Sequence, residues 1–144
     1  MKKIIIGWRE WCSFPDLNIT AIQFKTDTGA TLSALHTIEQ KVFLKNKKEY
    51  VTFTTQPLKN KNSPLVTCTA QVDRYKMVKS SNGMKEKRIV IKTIINLAGC
   101  SWPIELTLTN RETMSYRMLF GREAMKNILV DPKKVLYLGK IIKR

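Results

Sequence analysis

Apolar positions along the chain recur with a period of two more often than 3.6, which predicts strands. Ile22 and Phe24 alternate with Gln23 and Lys25, and Trp102, Ile104, Leu106 and Leu108 alternate with Glu105, Thr107 and Thr109. Both patterns fit strands with one buried face, the first running from Ala21 to Thr26. Ile89 to Ile95 is an almost continuous β-branched run, as in a strand buried on both faces. From Cys68 to Met77 the apolar phase shifts, from Cys68, Ala70 and Val72 to Tyr75 and Met77, which predicts a bulge near Asp73-Arg74. Ser80-Ser81-Asn82-Gly83 contains the Asn-Gly pair favoured in tight type I′ turns, so a hairpin is expected across Lys76 to Arg88. One helix is predicted, Arg122 to Ile128, between Gly121 and Asp131-Pro132. Val135 to Ile142 reads as strand broken at Gly139. The sum is an all-β barrel with one short C-terminal helix, expected to form a single domain over 1–144.

Composition adds a bias and removes several classes. Of 144 residues, 26 are Lys or Arg and 11 are Asp or Glu, a net charge of +15 that favours polyanionic partners. With 43% apolar residues the chain can build a core, which argues against disorder. No apolar run approaches the roughly 18 residues of a membrane span. Trp8-Arg9-Glu10 interrupts the apolar start before a secretory core could form, so a cytoplasmic protein without membrane contact is expected. Three cysteines, Cys12, Cys68 and Cys100, are an odd and widely spaced set, unlike a disulfide framework.

The sharpest local signal is Asp27-Thr28-Gly29-Ala30 at the end of a predicted strand: a carboxylate in a tight turn, a glycine that lets the backbone bend, and a hydroxyl able to hydrogen-bond nearby. Alone it also fits an Asp-containing turn that ends a strand. Far along the chain, Leu119-Phe120-Gly121-Arg122 leads into the predicted helix. Asp-Thr-Gly-Ala after a strand, a glycine-tipped hairpin in mid-chain, and then apolar-apolar-Gly-Arg form an order that resembles retropepsin-like aspartic proteases. Gly7-Trp8-Arg9-Glu10-Trp11, Ser33-Ala34-Leu35-His36 and Met118 to Arg122 narrow the resemblance to the bacterial RimK-associated family, also labelled "ATP-dependent zinc" proteases. The likeness covers nearly the whole chain and departs at Thr31-Leu32, where a basic residue and then Thr are expected.

That resemblance implies a retropepsin-like fold, with cytoplasmic relatives linked to removing glutamate tails from a ribosomal protein and extracytoplasmic relatives with other roles. Aspartic protease chemistry needs two carboxylates sharing one proton, and this chain has one Asp-Thr-Gly, so a C2 homodimer with Asp27 of each copy at the axis is expected. In this reading Asp27 activates water, Thr28 buttresses the pair, and Gly29 and Ala30 line the substrate backbone. The hairpin tipped by Ser80, Ser81, Asn82 and Gly83 acts as a flap over a protein or peptide substrate. Lys76, Lys79, Lys85, Lys87 and Arg88 crowd that hairpin. Those facing inward would select acidic side chains, Arg88 foremost, whereas a solvated face is the plainer reading. Arg122 is expected to tie the helix start to the loop after Asp27.

No metal and no cofactor is expected. The chain has no His-Glu-x-x-His, no Cys-x-x-Cys, one histidine and no Gly-rich Lys-Ser/Thr phosphate loop. His36, Cys68 and Cys100 are read as a hydrogen-bonded histidine and packed thiols rather than a metal site. Trp8 and Trp11 read as packing residues, and Asp16, Asp73 and Asp131 lack a following Thr/Ser-Gly. An alternative class stays open: a non-catalytic basic β-barrel that holds RNA or a ribosome through Lys45 to Lys48, Lys59 to Lys61, Lys133-Lys134 and Lys143-Arg144.

Overall fold

The computed structural model describes residues 2–79, 82–136 and 140–143. In chain order its strands are β1 (Lys2–Ile6), β2 (Arg9–Phe14), β3 (Ile19–Thr26), β4 (Ser33–His36), β5 (Glu39–Lys45), β6 (Lys48–Thr55), β7 (Val66–Gln71), β8 (Arg74–Lys79), β9 (Lys85–Leu97), β10 (Cys100–Thr109), β11 (Met118–Phe120), β12 (Ile128–Val130) and β13 (Lys140–Lys143). Strands β10, β4, β11, β3, β2 and β9 are neighbours in that order, and β9 returns to β10, which closes a barrel. Closure removes the open edges that a flat sheet of these apolar strands would expose. Strand β8 lies outside the ring, paired among the described residues only to β9.

The alternating strands deliver their apolar faces inward as expected. Ile22, Phe24, Leu35, Ile91, Ile95, Leu106, Met118 and Phe120 are all fully buried. Phe24 and Phe120 stack at 4.5 Å between centroids, packing β3 against β11 at the barrel centre. Two smaller sheets flank the barrel, β5-β6-β7 and β12-β1-β13. Strands β5 and β6 are joined at Asn46-Lys47, both with positive φ (55° and 66°), the geometry of a two-residue hairpin turn.

Three local expectations are corrected. The predicted helix is a single 3-10 turn, Arg122–Ala124: Met125 N–H closes it on the Arg122 carbonyl, and Asn127 adopts a left-handed φ of 55°. The chain then extends, so that Ile128 to Val130 pair in parallel with Ile4 to Ile6. Ala124 is buried in the core by the short turn, and Ile128 serves the sheet. The phase shift at Asp73-Arg74 is no bulge, because β7 and β8 belong to different sheets and the chain crosses between them at Val72-Asp73. The tail pairs as strand only from Lys140 among the described residues: Val135 and Leu136 lie in a strap, where Trp8 N–H donates to Lys134 O and Leu136 N–H to Arg9 O, each at 2.9 Å. The proposed break at Gly139 lies outside the described residues.

Candidate active site

Asp27 follows directly on β3, and its position is fixed by the way β11 threads between β3 and β4. Strand β11 runs parallel to β3 and antiparallel to β4, so the 27–32 loop must cross over the end of β11. Backbone bonds lock the crossing: Asp27 N–H donates to Phe120 O and Arg122 N–H to Ala30 O, both at 2.9 Å, and Glu123 N–H donates to Thr31 O at 2.8 Å. Gly121 N–H donates to the buried Ser33 hydroxyl at 3.0 Å. A Cβ on Gly121 would lie 2.6 Å from the Leu32 carbonyl carbon and oxygen, so only glycine permits this approach. The Arg122 guanidinium adds bonds to Thr28 O at 2.7 Å and Thr31 Oγ1 at 3.3 Å, the tie expected of it.

Within the loop, Gly29 N–H donates to Asp27 Oδ1 at 2.9 Å, which orients the half-buried carboxylate. Thr28 and Gly29 are exposed. Asp27 and Ala30 line a cleft of about 540 Å³ with Thr31, Ala34, Thr107 and Leu119 below and the β8–β9 hairpin above. The floor follows from register: Leu119 pairs with Ala34, Ala34 with Thr107, and Thr107 with Val90, carrying one sheet face from β11 to β9.

The hairpin walls the cleft with Lys76, Met77, Val78 and Lys79 of β8 and Arg88 of β9. Lys76 pairs with Arg88 and Val78 with Glu86, and Lys76, Val78 and Arg88 line the cavity. Lys79 also contributes to the lining, whereas Lys87 lies over the Tyr75 ring at 4.6 Å, and Lys85 is exposed outside the lining. The last described ladder pair is Lys79 with Lys85. Asn82 Oδ1 accepts from Met84 N–H at 3.1 Å, and Gly83 has φ of 84°. Neither residue is among the described cleft walls, and Ser80 and Ser81 lie outside the described residues.

One cleft residue had no signal in the sequence. Arg111, in the β10–β11 connection, is 7% exposed and lines the cavity with Asp27 and Arg88. Burial and the neighbouring Arg88 guanidinium push its pKa below the ordinary arginine value, and the Asp27 carboxylate opposes them. His36 holds this segment: its Nδ1 accepts from Arg111 N–H at 2.8 Å, and Nε2 faces Glu112 Oε2 at 3.2 Å. An accepting Nδ1 places the proton of a neutral ring on Nε2. Burial foremost, then Arg117, lowers the His36 pKa, with Glu112 opposing. Cys68 is engaged elsewhere, its Sγ 3.1 Å from Leu17 O, and no set of three metal-ligating side chains converges among the described residues.

Comparison with known proteins adds lineage to this geometry. A family model described as "RimB-like: Retropepsin-like aspartic endopeptidase RimB" matches residues 5–138. The chain belongs to this family. The crystal structure of Lpg0085 from Legionella pneumophila, a protein of unknown function, matches with a TM-score of 0.77 at 26% identity, covering 93% of this chain and 97% of that one. Proteins called probable alpha-L-glutamate ligase are also similar: the one from Shewanella pealeana is 45% identical over 139 residues and that from Desulfotalea psychrophila 42% over 144. The matches cover 96% and 99% of this chain but only 30% and 31% of those proteins. The barrel is therefore the retropepsin-like fold of the RimB-like family, as the motifs implied. No helix among the described residues is long and apolar enough to cross a membrane.

Proposed function

We propose that this chain is an aspartic endopeptidase, active as a two-fold homodimer, that cleaves peptides rich in acidic side chains, glutamate above all. The observation that carries the reading is the charge of the cleft: Asp27 is its one carboxylate among the described lining residues, and Lys76, Lys79, Arg88 and Arg111 are its other ionisable walls. A single carboxylate cannot be base and acid at once, so the partner carboxylate is Asp27 of a second copy. One Asp27, ionised, takes a proton from water as the water oxygen bonds to the scissile carbonyl carbon. The other, protonated, gives its proton to the carbonyl oxygen. Collapse of the resulting gem-diol breaks the C–N bond, and the amine leaves with a proton returned from the pair.

The remaining roles belong to the same proposal. Gly29 N–H orients Asp27, Thr28 buttresses the facing copy, and Ala30 lines the peptide backbone. The β8–β9 hairpin, with Ser80, Ser81, Asn82 and Gly83 at its tip, closes over an extended substrate and excludes water. Arg88 meets acidic side chains from above. The glutamate preference also draws on the relatives called glutamate ligase, in which a segment like this chain makes up less than a third of the protein.

The test is peptide cleavage read by mass spectrometry across about pH 4 to 8, comparing wild type with Asp27→Ala on neutral, acidic and glutamate-tailed peptides. Cleavage by wild type alone, fastest on the glutamate-tailed peptide, is the expected result. Equal cleavage by both proteins would overturn the assignment of Asp27.

A further inference from the structure

Resting on the reading of this cleft as a peptide site, we propose that Arg111 is a specificity residue that, together with Arg88, clamps the side-chain carboxylate of an acidic substrate residue beside Asp27. Arg111 is more than nine-tenths buried, and its one side-chain hydrogen bond among the described residues runs from Nε to Tyr116 O at 3.0 Å. That bond fixes the stem of the guanidinium and leaves both Nη groups without a described protein partner. No carboxylate lies within ion-pair range of it among the described residues. Arg111 shares its cleft with a second cation, and two like charges lining one cavity favour an anionic ligand there.

Arg88 is placed to complete the clamp. Its Nε lies 3.3 Å from Glu86 Oε2, and Glu86 is itself held by the Thr109 hydroxyl at 2.8 Å, so the Arg88 stem is braced from β10. The Nη edge of Arg88 also has no described protein partner. Two braced guanidiniums around one cavity suit a planar carboxylate, whose oxygens accept paired N–H bonds. Arg111 sits on the barrel side and Arg88 on the hairpin, so the ligand bridges floor and flap. His36, through its bond to Arg111 N–H, acts as a positioning residue for this group.

The experiment measures binding rather than cleavage, so it remains readable if the protease assignment fails. The Asp27→Asn protein is titrated with a fluorescein-labelled peptide ending in four glutamates and with its glutamine counterpart, at about 0.3 M salt to screen diffuse attraction. We expect the glutamate peptide to bind at least ~10-fold more tightly, and Arg111→Gln on the same background to bring the two within ~2-fold by weakening the glutamate peptide. Lys47→Gln, at the remote β5–β6 turn, is expected to leave the ratio intact, separating the clamp from net charge. A ratio that survives Arg111→Gln, or that falls equally with Lys47→Gln, overturns the proposal. If circular dichroism shows Arg111→Gln unfolded, Arg111→Lys decides: a reduced ratio supports the clamp and an unchanged one overturns it.

Discussion

Arg122 donates from Nη1 to the carbonyl oxygen of Thr28 at 2.7 Å, joining the turn after β11 to the loop that carries Asp27. The guanidinium is exposed, so its removal leaves no buried group unpaired, yet the bond holds the residue next to Asp27.

Arg122→Ala should therefore cost activity more than stability. A hydrogen bond from a charged donor contributes about 1.5–3 kcal/mol, less at an exposed site, so the melting temperature should fall by about 3–6 °C. Misplacing a catalytic group by a fraction of an ångström is expected to lower kcat/KM by ~10-fold or more. Thermal melts beside peptide kinetics check this. An unchanged kcat/KM would show that the tie serves the fold alone.

Two glycines near the same loop should separate folding from catalysis. A Cβ at Gly121 meets the Leu32 backbone at 2.6 Å, and backbone inside a locked crossing cannot yield. Gly121→Ala should destabilise by about 1–3 kcal/mol or more. At Gly29 the Cβ would stand 3.2 Å from Asp27 Oδ1, an atom that can move by a few tenths of an ångström. Gly29→Ala should melt within ~2 °C of wild type yet lose most of its turnover. Comparing the two variants by calorimetry and peptide assay tests the distinction, and equal destabilisation would refute it.

His36 makes a prediction about pH. Its folded pKa lies below its ordinary 6.5, because burial and Arg117 disfavour the imidazolium, and protonation at Nδ1 would remove the acceptor for Arg111 N–H. The charged neighbours are Arg111, Arg117 and Glu112, and only Glu112 favours the proton. Between the folded and unfolded pKa values the unfolded chain binds the proton and the native chain does not, so stability falls as pH falls. The contribution is complete above about 6.5 and is lost through the window below it. His36→Gln lacks this titration. The stability gap between wild type and His36→Gln should hold steady above about pH 7 and narrow toward pH 5, read by denaturant melts at each pH. A constant gap would mean that the ring does not titrate in this way.

The parts of the molecule legible in the sequence are those set by local chemistry. Asp27-Thr28-Gly29 announced a turn at a strand end, and the period-two runs at Ile22 to Phe24 and Trp102 to Leu108 announced their buried faces. What escaped was set by distant contacts. Arg111 is an arginine after a strand with no motif around it, and only His36 and Tyr116 make it a wall of the cleft. The 122–128 segment, set between Gly121 and Asp131-Pro132, reads as a helix, but its Ile128 pairs with Ile4, a partner on the first strand. Strand β5 is almost wholly exposed, so no alternation marks it, and its turn uses Asn46-Lys47 instead of a glycine pair. The change of sheet between β7 and β8 looks, in one dimension, like a bulge.

The single Asp27 carboxylate leads to the last prediction, that activity belongs to a pair of chains. In the β12-β1-β13 sheet, β1 is paired on both sides within its own chain, so a second copy that extends this sheet must use the outer edge of β12 or β13. Whatever the contact, a dyad at a two-fold axis makes each chain donate half of one site. Mixing wild type with an equal amount of Asp27→Asn, with time for exchange, should then leave about half of the activity per wild-type chain, falling further as the variant is raised to excess. Specific activity should also drop on dilution below the dimer dissociation constant, in step with the mass measured by sedimentation. Activity that stays proportional to wild-type chains alone, at every mixing ratio and dilution, would mean that one Asp27 acts without its twin.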